Sequence, residues 1–94
     1  MILGMFMIER NFRINNKLGL HARPAALLAQ TAAKCDSKVS IIKDGQEVDG
    51  DSILGIMMLA AEFGSEIIVI INGKDEKETI KKIEELFARK FDEE

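Results

Sequence analysis

The 94-residue sequence contains no tryptophan and no tyrosine, and aromatic residues make up only 5% of it. Proteins that bind single-stranded nucleic acids stack bases on aromatic side chains. Proteins that bind the phosphate backbone carry an excess of basic residues. This chain has neither property, because its formal net charge at pH 7 is -3. The composition therefore predicts no nucleic-acid partner.

Cysteine and histidine each occur once, as Cys35 and His21. A single cysteine cannot form an internal disulfide bond, and this fits a reducing compartment. The two residues do not supply enough ligands for a zinc site, so we predict no metal and no cofactor. Cys35 is predicted to be a small apolar filler at the end of a helix.

Long hydrophobic runs are also missing, so we predict no membrane insertion. The opening stretch MILGMFM is apolar but short, and Glu9 and Arg10 follow it directly. It is too short for a membrane span and lacks the basic region of a signal peptide. Its methionines suggest Met5 or Met7 as the biological start. The length of the chain predicts one domain over residues 1–94, and residues 1–6 are expected to be a frayed extension.

Four segments have strand-like patterns. Apolar residues of one parity over residues 6–14 are typical of a strand with one buried face. Val39 and Ile41 alternate with Lys38 and Ser40 in a second strand, and the Asp44-Gly45 that follows predicts a hairpin whose return strand is 46–48. The β-branched run at 66–71 predicts a central strand. The first strand's apolar residues are Phe6, Ile8, Phe12 and Ile14.

Three segments have apolar residues at helical spacing. The first runs from Pro24 to Lys34, and the second follows Ser52, a good N-cap, as far as Gly64, a C-cap or turn residue. The third begins at Asp75, which with Glu78 resembles a capping box. The predicted inward residues are Ala25, Leu28, Ala29 and Ala32 in the first helix, Ile56, Leu59 and Ala60 in the second, and Ile80, Ile83, Leu86 and Phe87 in the third.

On its outer face the third helix is predicted to carry the ion pairs Glu78 with Lys82 and Glu85 with Arg89. The complete element order is β-α-β-β-α-β-α. This order predicts an α+β domain in which three helices cover one face of a four-stranded antiparallel sheet.

His21 lies at the predicted start of the first helix, two residues before Arg23. Metal ligation and nucleophile activation both need further residues that the local sequence lacks. An imidazole acting as a nucleophile towards phosphorus would be well placed here. Arg23 and helix-start N–H groups, with Ala25 and Ala26 as the expected donors, would stabilise a phosphoryl group, and Pro24 sacrifices no hydrogen bond. An exposed capping histidine beside an unrelated arginine explains the pattern equally well.

The segment 53–61 is apolar on all sides, although a surface helix needs only one apolar stripe. Ile53, Leu54 and Met57 form a second cluster, at spacing i, i+1, i+4. Exposed apolar clusters that include methionine are typical of protein-docking surfaces. A helix buried on both sides, or one whose ends lie elsewhere, remains an alternative.

Two stretches, GLHARPAALLAQTAAK and DSILGIMMLAAEFGSEI, resemble the signatures of the HPr family. These are the histidine-containing phosphocarriers of the bacterial phosphoenolpyruvate-dependent sugar phosphotransferase system. The resemblance covers residues 7–91. NKLGLHARPA and the ending LFARKFDEE are also similar to the nitrogen-related HPr paralogue, so the sugar branch and the nitrogen branch both stay open.

The resemblance implies an open-faced β-sandwich with strand order 1-4-2-3 and three helices on one face. It implies that His21 is phosphorylated on Nδ1 by phospho-enzyme I and passes the group to an enzyme IIA-type protein, with Arg23 assisting. Ile53, Leu54 and Met57 would then lie on the partner-docking surface. We expect a cytoplasmic, monomeric carrier rather than an enzyme, or, in the nitrogen branch, a regulator that binds target proteins according to its phosphorylation.

Ser52 matches the position that HPr kinase/phosphorylase modifies for regulation in many relatives. Its predicted role as an N-cap already explains a serine here. Asp51 precedes it, where kinase-regulated relatives usually have a basic residue, and Glu47 and Asp49 add further negative charge. Regulatory phosphorylation and simple capping both remain open for Ser52.

Overall fold

The computed structural model of the protein describes residues 7–93. Its element order agrees with the predicted β-α-β-β-α-β-α. The expectations for Phe6 and for a frayed extension at 1–6 lie outside the described residues. The elements are β1 (Met7–Arg13), α1 (Ala22–Ala33), β2 (Lys38–Lys43), β3 (Gln46–Asp49), α2 (Ile53–Met58), β4 (Glu66–Asn72) and α3 (Glu76–Ala88), followed by a 3-10 turn at Lys90–Asp92.

The four strands form one antiparallel sheet in the order β1-β4-β2-β3. β4 is central, as its β-branched composition predicted, and it pairs with β1 on one side and β2 on the other. Asp44 and Gly45 have φ values of 50° and 81°, which is the left-handed geometry of a two-residue hairpin turn. The hairpin prediction and the α+β fold with strand order 1-4-2-3 are therefore confirmed.

One face of the sheet packs against the helices. Ile67, Val69 and Ile71 of β4 share a parity and are buried in the same cluster as residues from all three helices. Because alternate strand residues point to opposite faces, this places the three helices on one side of the sheet. The inward residues predicted for α1 and α3 are all buried.

α2 is shorter than predicted and ends at Met58 rather than at Gly64. Beyond it, the Leu20 N–H donates to the Ala61 carbonyl oxygen (2.8 Å) and the Gly64 N–H donates to that of Ile14 (2.9 Å). These bonds to the chain before α1 replace a continued helical ladder. Gly64 is therefore a turn residue.

The prediction of the inward residues of the second helix was wrong at one position. Ala60 takes a φ of 52° and is exposed, and Ala61 is buried in its place. Ile56 and Leu59 are buried as predicted. The reversal of the backbone at Ala60 exchanges the two alanines.

The capping box predicted at the start of α3 is also wrong. The Asp75 side chain makes no capping bond. Its carboxylate accepts from the N–H groups of Asp36 and Ser37, both at 2.9 Å, and from the Ser37 hydroxyl. These hydrogen bonds, the one from the Ser37 hydroxyl foremost, hold the pKa of Asp75 below its ordinary value. Asp75 thus ties the loop after α1 to the start of α3.

Within residues 7–93, the predicted pairs Glu78–Lys82 and Glu85–Arg89 do not form ion pairs. Arg89 instead donates from Nε to Asp92 in the turn that follows (3.0 Å). The α3 carboxylate that does pair is Glu84, with Arg10 of β1 at 2.7 Å. Such exposed pairs stabilise a fold only slightly, so local geometry decides which oppositely charged side chains meet.

Cys35 is half-buried just after α1, and its thiol donates to the Thr31 carbonyl oxygen (3.2 Å). No set of three or more side chains in the described part of the chain is arranged to hold a metal ion. Over the same range, none of the helices has the length and apolar character needed to cross a membrane.

Candidate functional site at the start of the first helix

A tight turn delivers the chain to His21. The Gly19 N–H donates to the Asn16 carbonyl oxygen (3.1 Å), and Gly19 has a φ of 72°. A Cβ at this position would lie 2.5 Å from the Ala61 carbonyl oxygen, so only glycine fits the turn against the chain behind it. His21 follows as the N-cap residue at the start of α1, with extended backbone geometry.

The His21 side chain makes no capping hydrogen bond. Its Nε2 lies 2.7 Å from Oε2 of Glu93, and the imidazole is 37% exposed. His21 is therefore the N-cap residue by its backbone position, while its ring is held by a carboxylate from the far end of the chain.

Glu93 is itself held in place. Its Oε1 accepts a hydrogen bond of 2.8 Å from Nδ2 of Asn16. Burial raises the pKa of Glu93, but hydrogen bonds from Asn16 and His21, with the positive charges of His21 and Arg23, outweigh it and leave the pKa below its ordinary value. Glu93 is thus an ionised acceptor near neutral pH.

The state of Glu93 fixes the tautomer of the neutral imidazole. An ionised carboxylate can only accept hydrogen bonds, so the proton that bridges the 2.7 Å contact belongs to Nε2 of His21. The lone pair of the neutral ring then lies on Nδ1. This arrangement supplies a nucleophilic nitrogen with a fixed identity.

The free N–H groups at the helix start differ from the expected ones. α1 begins at Ala22, two residues before the predicted start at Pro24. The Ala25 N–H is occupied, because it donates to the His21 carbonyl oxygen (3.0 Å), and Ala26 lies deeper in the helical ladder. Within residues 7–93, the N–H groups of Ala22 and Arg23 have no partner, as expected for the first helical positions.

Arg23 is exposed and forms no ion pair within the described range. It borders a depression with Lys17 and Glu93. A planar guanidinium that is not engaged by a carboxylate can reach oxygens of an incoming phosphoryl group. Pro24 is buried as the third helical residue and has no N–H to satisfy.

The apolar cluster predicted on α2 is exposed. Ile53, Leu54 and Met57 are exposed by 42%, 73% and 38%, so α2 is not buried on both sides. Met57 and His21 line one shallow depression, together with Leu18. The structure therefore brings the imidazole and part of the apolar cluster to one surface.

Ser52 is the N-cap of α2, as predicted, since its Oγ accepts from the Gly55 N–H at 2.9 Å. Its hydroxyl is half-buried in this contact. The acidic residues Glu47, Asp49 and Asp51 are all exposed nearby along the chain. Capping explains the structural role of Ser52.

Sequence reasoning missed Glu93 and Asn16. Glu93 is 72 residues from His21 and belongs to a run of acidic residues that looks like a solvated tail. Asn16 looks like an ordinary turn residue. The exposure of two other large apolar side chains, Leu18 and Phe63, was also missed. Leu18 borders the same depression as Met57 and His21.

Comparisons with known proteins find relatives that match almost the whole chain. The family model described as "PTS HPr component phosphorylation site" matches residues 8–89, which include His21. The Phosphocarrier protein HPr of Treponema pallidum (strain Nichols) is 43% identical over 88 residues, covering 94% of this chain and all of that protein.

Two solved structures are also similar. The crystal structure of HPr-C-His from Thermoanaerobacter tengcongensis has a TM-score of 0.88 and 45% identity, covering 93% of this chain and 98% of that one. Crh, a Bacillus subtilis catabolite repression protein solved as a dimer with a swapping domain, has a TM-score of 0.65 and 39% identity over 93% and 95% of the two chains. The chain therefore belongs to the HPr family of phosphocarrier proteins of the phosphotransferase system.

Proposed function

We propose that this protein carries a phosphoryl group on Nδ1 of His21, which it accepts from phospho-enzyme I and passes to a histidine of an enzyme IIA-type protein. In each step the bond from phosphorus to the donor breaks as the bond to the acceptor nitrogen forms. His21 is restored at the end of the relay. The protein is thus a stoichiometric carrier rather than an enzyme, and it needs no cofactor.

The position of His21 carries this proposal. The ring stands at the open end of α1, and Glu93 holds Nε2 so that the Nδ1 lone pair is available. The unpaired N–H groups of Ala22 and Arg23 and the positive end of the helix dipole lie at the same place. Together with the Arg23 guanidinium they would stabilise the charge of the transferred group.

Three further residues of the first turn shape the space around the group. Pro24, Ala25 and Ala26 carry small or compact side chains, so the first turn leaves room for the active site of a partner. Because the Ala25 N–H is occupied, we assign N–H donation to Ala22 and Arg23 rather than to Ala25 and Ala26.

The α2 surface is proposed as the docking site for enzyme I and enzyme IIA-type proteins. Ile53, Leu54 and Met57 give it exposed apolar side chains, and Met57 borders the same depression as His21. Burying such side chains favours association. A partner seated there would bring its own histidine close to His21.

A direct labelling experiment tests the relay. The protein is incubated with phosphoenolpyruvate and enzyme I and then weighed by mass spectrometry. We expect a gain of about 80 Da, one phosphoryl group, that is lost in acid. The His21→Ala protein should not gain this mass, and equal labelling of both proteins would contradict the proposal.

A regulatory function is the second candidate, in which the protein acts by phosphorylation-dependent binding to target proteins. It is supported by the similarity to the catabolite repression protein Crh. Modification of Ser52 by an HPr kinase/phosphorylase is part of this candidate, although Asp49 and Asp51 place negative charge beside it. Pull-downs with the phosphorylated and unphosphorylated forms of wild type and Ser52→Ala would separate regulation from relay.

We further propose that residues 1–94 form one cytoplasmic, monomeric domain. Size-exclusion chromatography with light scattering tests the oligomeric state, and the expected mass is that of one chain, 10.5 kDa. A stable species of twice that mass would contradict the monomer.

A further inference from the structure

Asn16 is fully buried in the turn before His21, and the proposed phosphoryl relay assigns it no function. Its Nδ2 donates to the Gly19 carbonyl oxygen and to Oε1 of Glu93, both at 2.8 Å. One amide group therefore links the loop that delivers His21 to the carboxylate that holds the His21 ring.

Stability alone does not explain an asparagine at this position. Its Oδ1 is buried and has no hydrogen-bond partner within the described residues, which makes the folded state less favourable. The turn is also closed by a main-chain bond, from the Gly19 N–H to the Asn16 carbonyl oxygen. What the side chain adds is its two donated hydrogen bonds.

The geometry of the chain end shows why Glu93 needs such a contact. Phe91 is fully buried and packs edge-on against Phe87, so it anchors the tail. Glu93 lies two residues beyond this anchor, and its side chain has three rotatable bonds. The hydrogen bond from Asn16 fixes one carboxylate oxygen, and the other oxygen is then directed at Nε2 of His21.

We propose that Asn16 is a positioning residue, which clamps Glu93 so that the carboxylate accepts the hydrogen bond from Nε2–H of His21 and leaves the Nδ1 lone pair free. As a contribution to phosphoryl transfer, this inference rests on the proposed function. Its effect on the imidazole exists before any phosphoryl group arrives, so it can be measured on the unmodified protein.

The test is the tautomer of His21 in ¹⁵N-labelled protein, read from the two imidazole ¹⁵N chemical shifts at about pH 8.5, above the ordinary imidazole range. Wild type should show the form protonated on Nε2. Asn16→Leu has a similar volume and donates no hydrogen bond, so we expect its tautomer ratio to shift about threefold to tenfold towards Nδ1–H, the effect of one lost hydrogen bond.

Asn15 offers a matched control in the next position. Its Nδ2 donates to the Phe87 carbonyl oxygen (2.9 Å) and its Oδ1 is also buried without a partner, but its side-chain bond does not involve Glu93. Asn15→Leu should change the melting temperature while it leaves the His21 tautomer unchanged. If Asn15→Leu and Asn16→Leu moved the tautomer equally, the effect would be structural and the positioning role would be wrong.

A double-mutant cycle tests whether Asn16 acts through Glu93. Asn16→Leu should shift the tautomer little further when Glu93→Gln is already present, and an additive shift would overturn the inference. If Asn16→Leu does not fold, Asn16→Asp replaces it: this variant keeps the shape, places a second carboxylate beside Oε1 of Glu93, and should also move the tautomer.

Phosphorylation rates separate this inference from the relay. With enzyme I, Asn16→Leu should be labelled about threefold to tenfold more slowly than Asn15→Leu. A protein that enzyme I never labels but whose tautomer responds to Asn16→Leu would contradict the relay and support the clamp. Normal labelling with an unchanged tautomer in Asn16→Leu would support the relay and contradict the clamp.

Discussion

At the level of single residues, one hydrogen bond decides which nitrogen of His21 is available. Nε2 is engaged by Glu93 at 2.7 Å, so Nδ1 carries the lone pair of the neutral ring. The local sequence around His21 left capping and nucleophilic roles equally open. The contact that orients the ring comes from a carboxylate 72 residues away, and no local pattern encodes contacts at that distance.

The contact between Glu93 and His21 should make stability depend on pH. Because the folded pKa of Glu93 is lowered, the ionised carboxylate stabilises the fold above the ordinary carboxyl range, and this contribution is lost as the pH falls through the lowered pKa. We expect Glu93→Gln to be less stable than wild type near neutral pH, with a difference that shrinks in acid. Urea unfolding of both proteins between about pH 7 and about pH 3 measures this.

The urea unfolding of wild type and Glu93→Gln at different pH values can also contradict this prediction. If the stability difference between wild type and Glu93→Gln stayed constant or grew as the pH fell, the ionised carboxylate would not be the stabilising form. His21 and Arg23 are the positive groups that lower the Glu93 pKa, so His21→Ala should weaken the pH dependence as well.

At the level of elements, long periodic segments were predictable and their ends were not. The inward stripes of α1 and α3 and the central position of β4 follow from residue spacing and β-branched composition, because burial on one face imposes those periods. The end of α2 and the start of α3 depend on bonds to distant loops. Leu20 and Gly64 redirect the chain after Met58, and Asp75 binds the loop after α1 instead of capping its own helix.

The α2 surface leads to a prediction at this scale. Met57→Glu places a charge in an exposed apolar cluster, so docking should weaken without loss of the fold. We expect the apparent KM of enzyme I for this protein as its substrate to rise about tenfold, as for an interface residue that contributes more than 1 kcal/mol. Steady-state phosphorylation rates measure this, and circular dichroism checks the fold.

Met7→Glu is the matched control, because Met7 is an exposed methionine on β1 and lies outside the α2 surface. It should leave the kinetics with enzyme I unchanged. Equal effects of the two substitutions would indicate a general influence of the added charge, and unchanged kinetics in Met57→Glu would remove α2 from the docking surface.

At the level of the whole molecule, the end of the chain is built into the site near its beginning. Phe12 of β1 stacks on Phe87 of α3 with ring centroids 4.3 Å apart, and Phe91 packs edge-on against Phe87 at 4.9 Å. Phe91 sits between Lys90 and Asp92 in a run of three left-handed residues, a costly conformation outside glycine. Composition showed few aromatics, but their assembly into one anchor for Glu93 required the folded chain.

Phe91→Ala tests this connection between the core and the site. Removing a fully buried aromatic ring should lower the free energy of unfolding by about 3–5 kcal/mol, measured by urea unfolding. At temperatures where the variant is still folded, the tail should leave its anchor, so Glu93 should release His21 and the Nε2–H tautomer signal should weaken. Phe63→Ala deletes an exposed ring and should change stability by only about 0.5 kcal/mol or less. A folded Phe91→Ala protein with an unchanged His21 tautomer would show that Glu93 is held without the aromatic anchor, by the bond from Asn16 alone.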